Sequence, residues 1–525
     1  MRSAAKGAST ERIVRIARSA GQMSLNAEAK DEPAIKNGCL TVRGDDRGAL
    51  QRLVHVGPET VTLATGWQDL ANAVGQQFHL SSESAALLLR FGFVPVPHTL
   101  FANVFQAGIG DTLSIDLRSG AVMHTHDFPF LVAKSRQSEA WRPDVFTDLL
   151  CASCERVVSQ DAGLLLSAGK DSTALLLALQ RIGRKDVLCV TYDAGYQEQE
   201  AAPASSFARA MGFRHVTVSA DPMREFDAYL SFLRSTPHLT LDFALPAALV
   251  SVAACAEHGA MVLDGLGNDK YMHCSPSRRE RLLRAISLPS RLGGFGWGAA
   301  ASLPGLGQRA TYVASSAAMY ANERWFPGTK LSATLIDQLT GSAEAAHAFA
   351  RSLDLALRRH HIIDAVTVAK ARYSDYSGAM EKTRLAAQHF GLSAAYPFCD
   401  NGLIDYYFNL PDADRFDKQT LESKLAFKRW LNQQSVKSNY FSIKGSFRYN
   451  MASMFLDNYQ IVIDMMKHSA NIDFTPSLQR LVERARYDYF RAQQLFLIFS
   501  LTVWADSHGF LLKGAPTNRY LLASS

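Results

Sequence analysis

The chain has 525 residues, 47% hydrophobic and 20% charged, with 55 Lys and Arg against 49 Asp and Glu for a net charge of +6. That balance excludes a disordered, collagen-like or small disulfide-stapled chain, and over this length +6 is too weak to signal nucleic acid. At roughly 150 residues per domain the length fits about two to four domains. Seven scattered cysteines with no regular spacing point to reduced thiols and a cytoplasmic setting.

In chain order, residues 1–21 carry Arg2, Lys6, Arg12, Arg15 and Arg18 against one acid, Glu11. This is mildly like a transit peptide, but a solvated N-terminal helix or frayed end is the preferred reading. Up to about residue 130 the pattern is one of short strands and turns. Residues 59–65 and 112–117 read as strands, 83–90 as a helix and 118–120 as a turn.

From about residue 140 short apolar strands alternate with helices: strand 163–166, helix 172–181, strand 187–191, helix 203–211, strand 215–218, helix 244–258, strand 260–264. This rhythm predicts an α/β fold with a doubly wound parallel sheet. Residues 293–307, rich in Gly, Ala and Ser, read as a loop or insertion boundary. Beyond about residue 332 the pattern is mainly helical. Residues 495–504 are apolar, but at about half of the roughly 20 residues needed to span a bilayer they predict a buried helix.

The sharpest chemical feature is the run Leu-Leu-Leu-Ser-Ala-Gly-Lys-Asp-Ser-Thr at residues 164–173. An apolar strand enters a small-residue turn that opens a helix. Small residues let backbone N–H groups approach an anion, and the helix N-terminus adds positive potential. Ser167, Ala168, Gly169, Lys170, Asp171 and Ser172 are therefore the candidate phosphate-binding residues. The Walker spacing is absent. A second strand-to-turn unit, Val-Leu-Asp-Gly-Leu-Gly-Asn-Asp-Lys-Tyr at residues 262–271, repeats the pattern further along. Such loops lie at the carboxyl ends of strands, so both can face one site, and Asp171 and Asp269 can share Mg2+ on a triphosphate. Taken alone, the second loop reads more readily as a helix-capping Asp in a turn.

The first loop resembles the S-G-G-x-D-S signature of the PP-loop ATP pyrophosphatases, with Ala168 in place of the first glycine. With the second loop it is similar to the asparagine synthetase family, whose second motif runs S-G-E-G-x-D-E. Gly265, Gly267 and Asp269 match; Leu266 replaces the Glu (Tyr in β-lactam synthetases) implicated in amine chemistry, and Lys270 replaces the following acid. Residues 396–405 resemble the family's V-P-F-L-D-x-x-L-x-[DE], and residues 422–428 its K-x-x-x-R helix. Residues 87–116 resemble the end of the family's glutaminase domain and the link that follows it.

The resemblance implies two parts: a reduced, glutaminase-like N-terminal α+β domain at 1–135 and an ATP-dependent synthetase domain with a helical C-terminal part at 136–525. It implies ATP and Mg2+ as cofactors and Gly265 and Val190 as further nucleotide contacts, Val190 near adenine. Lys424 is the implied catalytic lysine and Lys428 its basic companion, sharing a helix face at i, i+4. The implied reaction adenylates a carboxylate, releases pyrophosphate and passes the acyl group to an amine, giving an amide and AMP.

The family's glutaminases open with a Cys directly after the initiator Met, whereas this chain begins Met-Arg-Ser-Ala and Cys39 sits in no comparable context. No glutamine hydrolysis is expected. The amine then arrives free, on a second molecule, or on the substrate itself, as in β-lactam synthetases and lasso-peptide macrolactam synthetases. The partners implied are a carboxylate substrate, an amine and a biosynthetic partner protein, with no nucleic acid and no membrane. The alternatives are a degenerate nucleotide-binding partner protein, an ammonia-dependent asparagine synthetase, and a PP-loop RNA-modifying enzyme.

Other features read as structural. Cys151 and Cys154 form a lone CxxC at helical spacing, and residues 358–361 a polar helix surface. Arg278, Arg279, Arg281 and Arg284 read as a solvated face that alternatively gathers an acidic substrate. Residues 444–446 fall where the family often has a further basic loop.

Overall fold

The computed structural model describes residues 13–18, 33–75, 77–127, 140–158, 161–195, 201–285, 319–326, 331–434 and 449–514. The loop expected at 293–307 and the basic loop at 444–446 lie outside these residues.

The short apolar runs of the middle of the chain do form one parallel sheet. The N-terminal strands precede it: β1 (Ile13–Ala17), β2 (Ala34–Lys36), β3 (Cys39–Arg43), β4 (Leu53–Val56), β5 (Thr60–Ala64), β6 (Val104–Gln106), β7 (Asp111–Asp116) and β8 (Val122–His126). They build two antiparallel four-stranded sheets, ordered β1-β5-β4-β6 and β2-β3-β7-β8. The central sheet follows with β9 (Ala162–Leu165), β10 (Leu188–Asp193), β11 (His215–Ser219), β12 (Met261–Leu263) and β13 (Ser393–Ala395). Its order is β11-β10-β9-β12-β13, and every pairing is parallel. The order reverses beside β9, which places a topological switch point at the first Gly-rich loop.

Helices pack against this sheet. The Leu245–Ala256 helix packs on β9, β10, β11 and β12. Its apolar composition reflects that burial: nine of its twelve residues are buried. The Tyr489–Ser507 helix is buried along the whole stretch 495–505, as its apolar run predicts, and Tyr229 Oη donates to its Ser500 at 2.7 Å. Among the described residues no helix is long and apolar enough to cross a membrane.

One expectation is corrected, and one strand is additional to those expected. Residues 13–17 form a strand, not a helix or frayed end: each of its five residues pairs with β5, and the β-branched Val14 and Ile16 suit a pleated edge. The fifth strand, β13, had no counterpart in the sequence reading. Its Ser-Ala-Ala composition carries no strand preference, and pairing with β12 alone makes it one.

The main apolar core runs from Leu53 to Leu512 and so includes side chains on both sides of residue 135. A smaller core fills the space between the two N-terminal sheets. Polar ties also cross that position. Buried Glu381 accepts from Gln51 Nε2 at 2.6 Å and Trp67 Nε1 at 2.9 Å. Arg372 donates to Asp111 at 2.6 Å.

Candidate functional site

The first loop leaves β9 at Leu166 and opens the Lys170–Arg181 helix. The Ser172 hydroxyl organises it, accepting from Ser167 N at 3.2 Å and donating to Ser167 O at 3.1 Å. Gly169 caps the helix at φ −73°, and Ala168, which is buried, has no left-handed backbone. The methyl of Ala168 therefore meets no conformational penalty, and the departure from glycine is accommodated. At Gly169 the constraint is space: a Cβ would lie 2.8 Å from Ser167 Oγ.

The second loop closes against the first. A Cβ on Gly265 would stand 2.9 Å from Ser172 N and 3.2 Å from Asp171 C. Gly265 thus permits the backbone of one loop to touch the start of the other's helix. Gly267 adopts φ +109°, a region favouring glycine, and sits against Cys399 and Phe398 from the 396–405 motif.

This contact brings together three groups far apart in sequence. Lys424 Nζ lies 2.8 and 2.9 Å from the two Asp171 oxygens and 2.9 Å from Asp269 Oδ1. Asn268 Nδ2 donates to Asp171 at 2.6 Å, and Tyr407 Oη donates to Asn268 at 3.0 Å, so Asp171 is aimed by a side-chain relay. Burial works against the charge of Lys424, but the two carboxylates outweigh it and hold the ammonium well above the usual lysine value.

Lys424 does not share a helix face with Lys428 as expected. It stands at the N-cap of the Leu425–Gln433 helix with φ 57°, ψ 38°, a left-handed conformation that costs a non-glycine residue of order 1 kcal/mol. Its amide donates to Met272 O at 3.1 Å and its carbonyl accepts from Lys428 N at 2.8 Å. The backbone kink turns Lys424 toward the acids, while half-buried Lys428 stands one turn on and makes none of these acid contacts. Val190 also differs in place. β10 continues to Asp193, so Val190 is buried inside the sheet, with its carbonyl accepting from Leu166 N at 2.8 Å. Lys170 is half-buried at the first turn of its helix.

Sequence reasoning missed a second layer. The Ala369–Ala379 segment is π-helical, and the Asp269–Met272 helix packs against it. Asp375 on that segment has its carboxyl raised to about 7, by burial first and then by Asp269. Asp269, Cys274 and Asp375 place one oxygen, sulfur and oxygen atom within 4.8 Å of one another. Lys370 pairs with Glu280 at 3.0 Å. Glu280 closes a capping box, accepting from Ser277 N at 2.7 Å while its own amide donates to Ser277 Oγ at 3.1 Å. The nearest signal in the sequence is the basic stretch 278–284, which holds Glu280.

The other candidates take structural places. Asp400 caps the Asn401–Asn409 helix and pairs with Arg156 at 2.6 Å. Cys154 is buried with its thiol pushed up to about 12, and all seven cysteines are free. Residues 358–361 lie exposed between two helices. Cys39 sits in β3 opposite Asp116, and burial followed by that acid raises its thiol above the usual value.

The donor set suits the nucleotide chemistry. Two carboxylates converging at a helix N-terminus are hard oxygen ligands of the kind Mg2+ takes. No curated protein matches the chain. The family model for asparagine synthase matches residues 146–504, which run from the helix before β9 to the buried C-terminal helix and enclose both loops and Lys424. That match supports ATP-dependent amide ligase chemistry in general, and with most of its length covered the chain belongs to the asparagine synthase family.

Proposed function

We propose that the protein is an amide-forming ligase that adenylates a substrate carboxylate and transfers the acyl group to an amine in specialised biosynthesis. The observation that carries this reading is the convergence of Asp171, Asp269 and Lys424 where the two Gly-rich loops touch.

Family enzymes use ATP, usually with Mg2+. Asp171 and Asp269 would hold the ion, which neutralises charge on the departing pyrophosphate. Ser167, Ala168, Gly169, Lys170 and Ser172 would receive the phosphates through backbone N–H groups, hydroxyls and the helix N-terminus. Lys424, released from the acids, would meet the negative charge that develops on phosphate and carbonyl oxygens. Lys428 stands one turn away as the basic companion. The substrate carboxylate attacks the α-phosphorus and pyrophosphate leaves. The amine then attacks the activated carbonyl and AMP leaves.

The N-terminal part, 1–135, reads as a reduced glutaminase-like unit attached to the synthetase part. Cys39, a neutral strand thiol beside an acid, has none of the features of an activated nucleophile. The amine accordingly comes free or on the substrate, and ring closure to a lactam or macrolactam is the form we favour.

The test is ATP–pyrophosphate exchange on the purified chain with Mg2+. The acids are the proteinogenic amino acids, N-acylated Asp and Glu, and short peptides carrying Asp or Glu. Acid-dependent exchange, with AMP release when an amine is added, supports the ligase. ATP binding without exchange for any acid overturns it in favour of a nucleotide-binding partner protein.

A further inference from the structure

The second loop puts a hydrocarbon, Leu266, where the synthetases it resembles carry an acid or a tyrosine. Leu266 packs on the core. If the proposed reaction is right, the amine must meet its polar partner on another element.

The π-helical segment supplies one. Bonds from i to i+5 stack residues five apart, so Lys370 and Asp375 share a face of Ala369–Ala379. The opposite side is anchored from behind. Arg372 donates to Asp111 at 2.6 Å and to Ile109 O at 3.1 Å, and Tyr376 Oη donates to Leu50 O at 3.3 Å. Asp375 is therefore carried on a fixed scaffold, although it belongs to neither loop.

Its carboxyl group is half-buried and accepts no hydrogen bond among the described residues, whereas Asp171 accepts three. It stands within 4.8 Å of an Asp269 oxygen, and Asp269 stands 2.9 Å from Lys424. A carbonyl drawn to Lys424 would thus have Asp375 one carboxylate away. The cluster is poorly made for a cation of its own. Cys274 is held as a neutral thiol by burial first and then by Asp269 and Asp375, and Lys370, Lys270 and Lys424 face Asp375.

We infer that Asp375 is a catalytic residue on the amine side, receiving the nucleophilic amine and taking its proton as the amide forms. In that step the N–C bond forms and the bond from the acyl carbon to the AMP phosphate oxygen breaks. The electron pair leaves on AMP, and one N–H proton passes to the Asp375 carboxylate and then to water. The inference rests on the ligase reading above and adds the group that handles the amine.

The experiment compares the full wild-type chain with Asp375→Asn and Asp375→Glu. The probes are ATP, Mg2+ and pyrophosphate, the acids named above, and ammonium and hydroxylamine as amines. Asp375→Asn should keep acid-dependent pyrophosphate exchange at the wild-type level, which also shows that it folds. It should lose amide and hydroxamate formation by about 100-fold or more, the usual contribution of a positioned proton acceptor. Asp375→Glu should recover part of that loss. A parallel fall in exchange and amide formation assigns Asp375 to the nucleotide side and overturns the inference, as does an unchanged rate of amide formation. Absence of exchange in the wild type with every acid is a separate outcome, which overturns the ligase reading itself.

Discussion

Lys424 and Asp171 are paired through both carboxylate oxygens, at 2.8 and 2.9 Å, and the same ammonium reaches Asp269. The lysine therefore stands between the two acids that, in the proposed reaction, would hold a divalent cation. There it would compete with that cation, and in the proposed reaction it would also meet charge on the nucleotide; its left-handed backbone sets it at the start of a helix.

Replacing Lys424 with Met separates these two roles. The variant should bind Mn2+ more tightly than the wild type in the absence of nucleotide, by of order tenfold, since a competing charge is removed from half-buried acids. Electron paramagnetic resonance of free Mn2+ measures this directly. Amide formation should fall by about 10²–10³ if Lys424 stabilises charge in the transition state. Unchanged Mn2+ affinity would show that the lysine does not compete with the cation.

The first loop tolerates a methyl that its neighbour does not. Ala168→Gly should leave ATP affinity unchanged and lower stability by about 0.4–1 kcal/mol, through the added freedom of the unfolded chain. Gly265→Ala should instead weaken ATP binding sharply, because its Cβ would press into Ser172 N at 2.9 Å. Isothermal titration with ATP and urea denaturation of both variants check the contrast.

Arg372 ties the π-helical segment to the N-terminal sheets through Asp111. Both side chains are buried. For Asp111, burial opposes the charge, but the guanidinium and the His124 and His126 contacts hold its carboxyl far below the usual range. Arg372→Met should cost about 3 kcal/mol, because it takes the guanidinium from a buried carboxylate and leaves it only the histidines and a backbone amide. A shift in the urea midpoint at constant slope measures it.

Acid should weaken the fold through histidines held neutral. His238 is buried, stacked on Trp67 with ring centroids 3.9 Å apart, and burial lowers its value to about 3. His98 is lowered to about 4, by burial and then by His124. Each takes up its proton more readily in the unfolded chain, near 6.5. Their contribution is complete above that pH and is lost as the pH falls through the interval down to about 3 for His238 and about 4 for His98. At pH 5 His238 alone should cost about 2 kcal/mol. His238→Phe keeps the stack and should flatten part of this dependence in urea titrations between pH 7 and 5. An identical pH slope in the variant would assign the loss to other groups.

Much of this site was legible because its signals are local. An apolar strand, a small-residue turn and an acid at the head of a helix stand within ten residues at 164–173 and recur at 262–271. Strands β9 to β12 were equally readable, since alternating apolar runs and helices fix a parallel sheet by connection length and handedness. Lys424 was found from its motif, but its geometry was not: a helical i, i+4 pair was the natural reading, and only contact with Met272 O and the two acids explains a left-handed cap.

The amino-acid sequence by itself determined the order of β9 to β12 and the helices between them, the two Gly-rich loops and the identity of Asp171, Asp269 and Lys424. Those are properties of neighbours along the chain. Tertiary structure decided which of them meet. It made Ser393–Ala395 a strand by pairing it with β12, and turned a basic N-terminal stretch into an edge strand. It also brought Asp375 beside Asp269 across more than a hundred residues. A lone Asp in a polar helical stretch carries no signal in the chain. Its proximity to a second carboxylate arises when the π-helical segment packs on the Asp269–Met272 helix, a relationship that only the folded core creates.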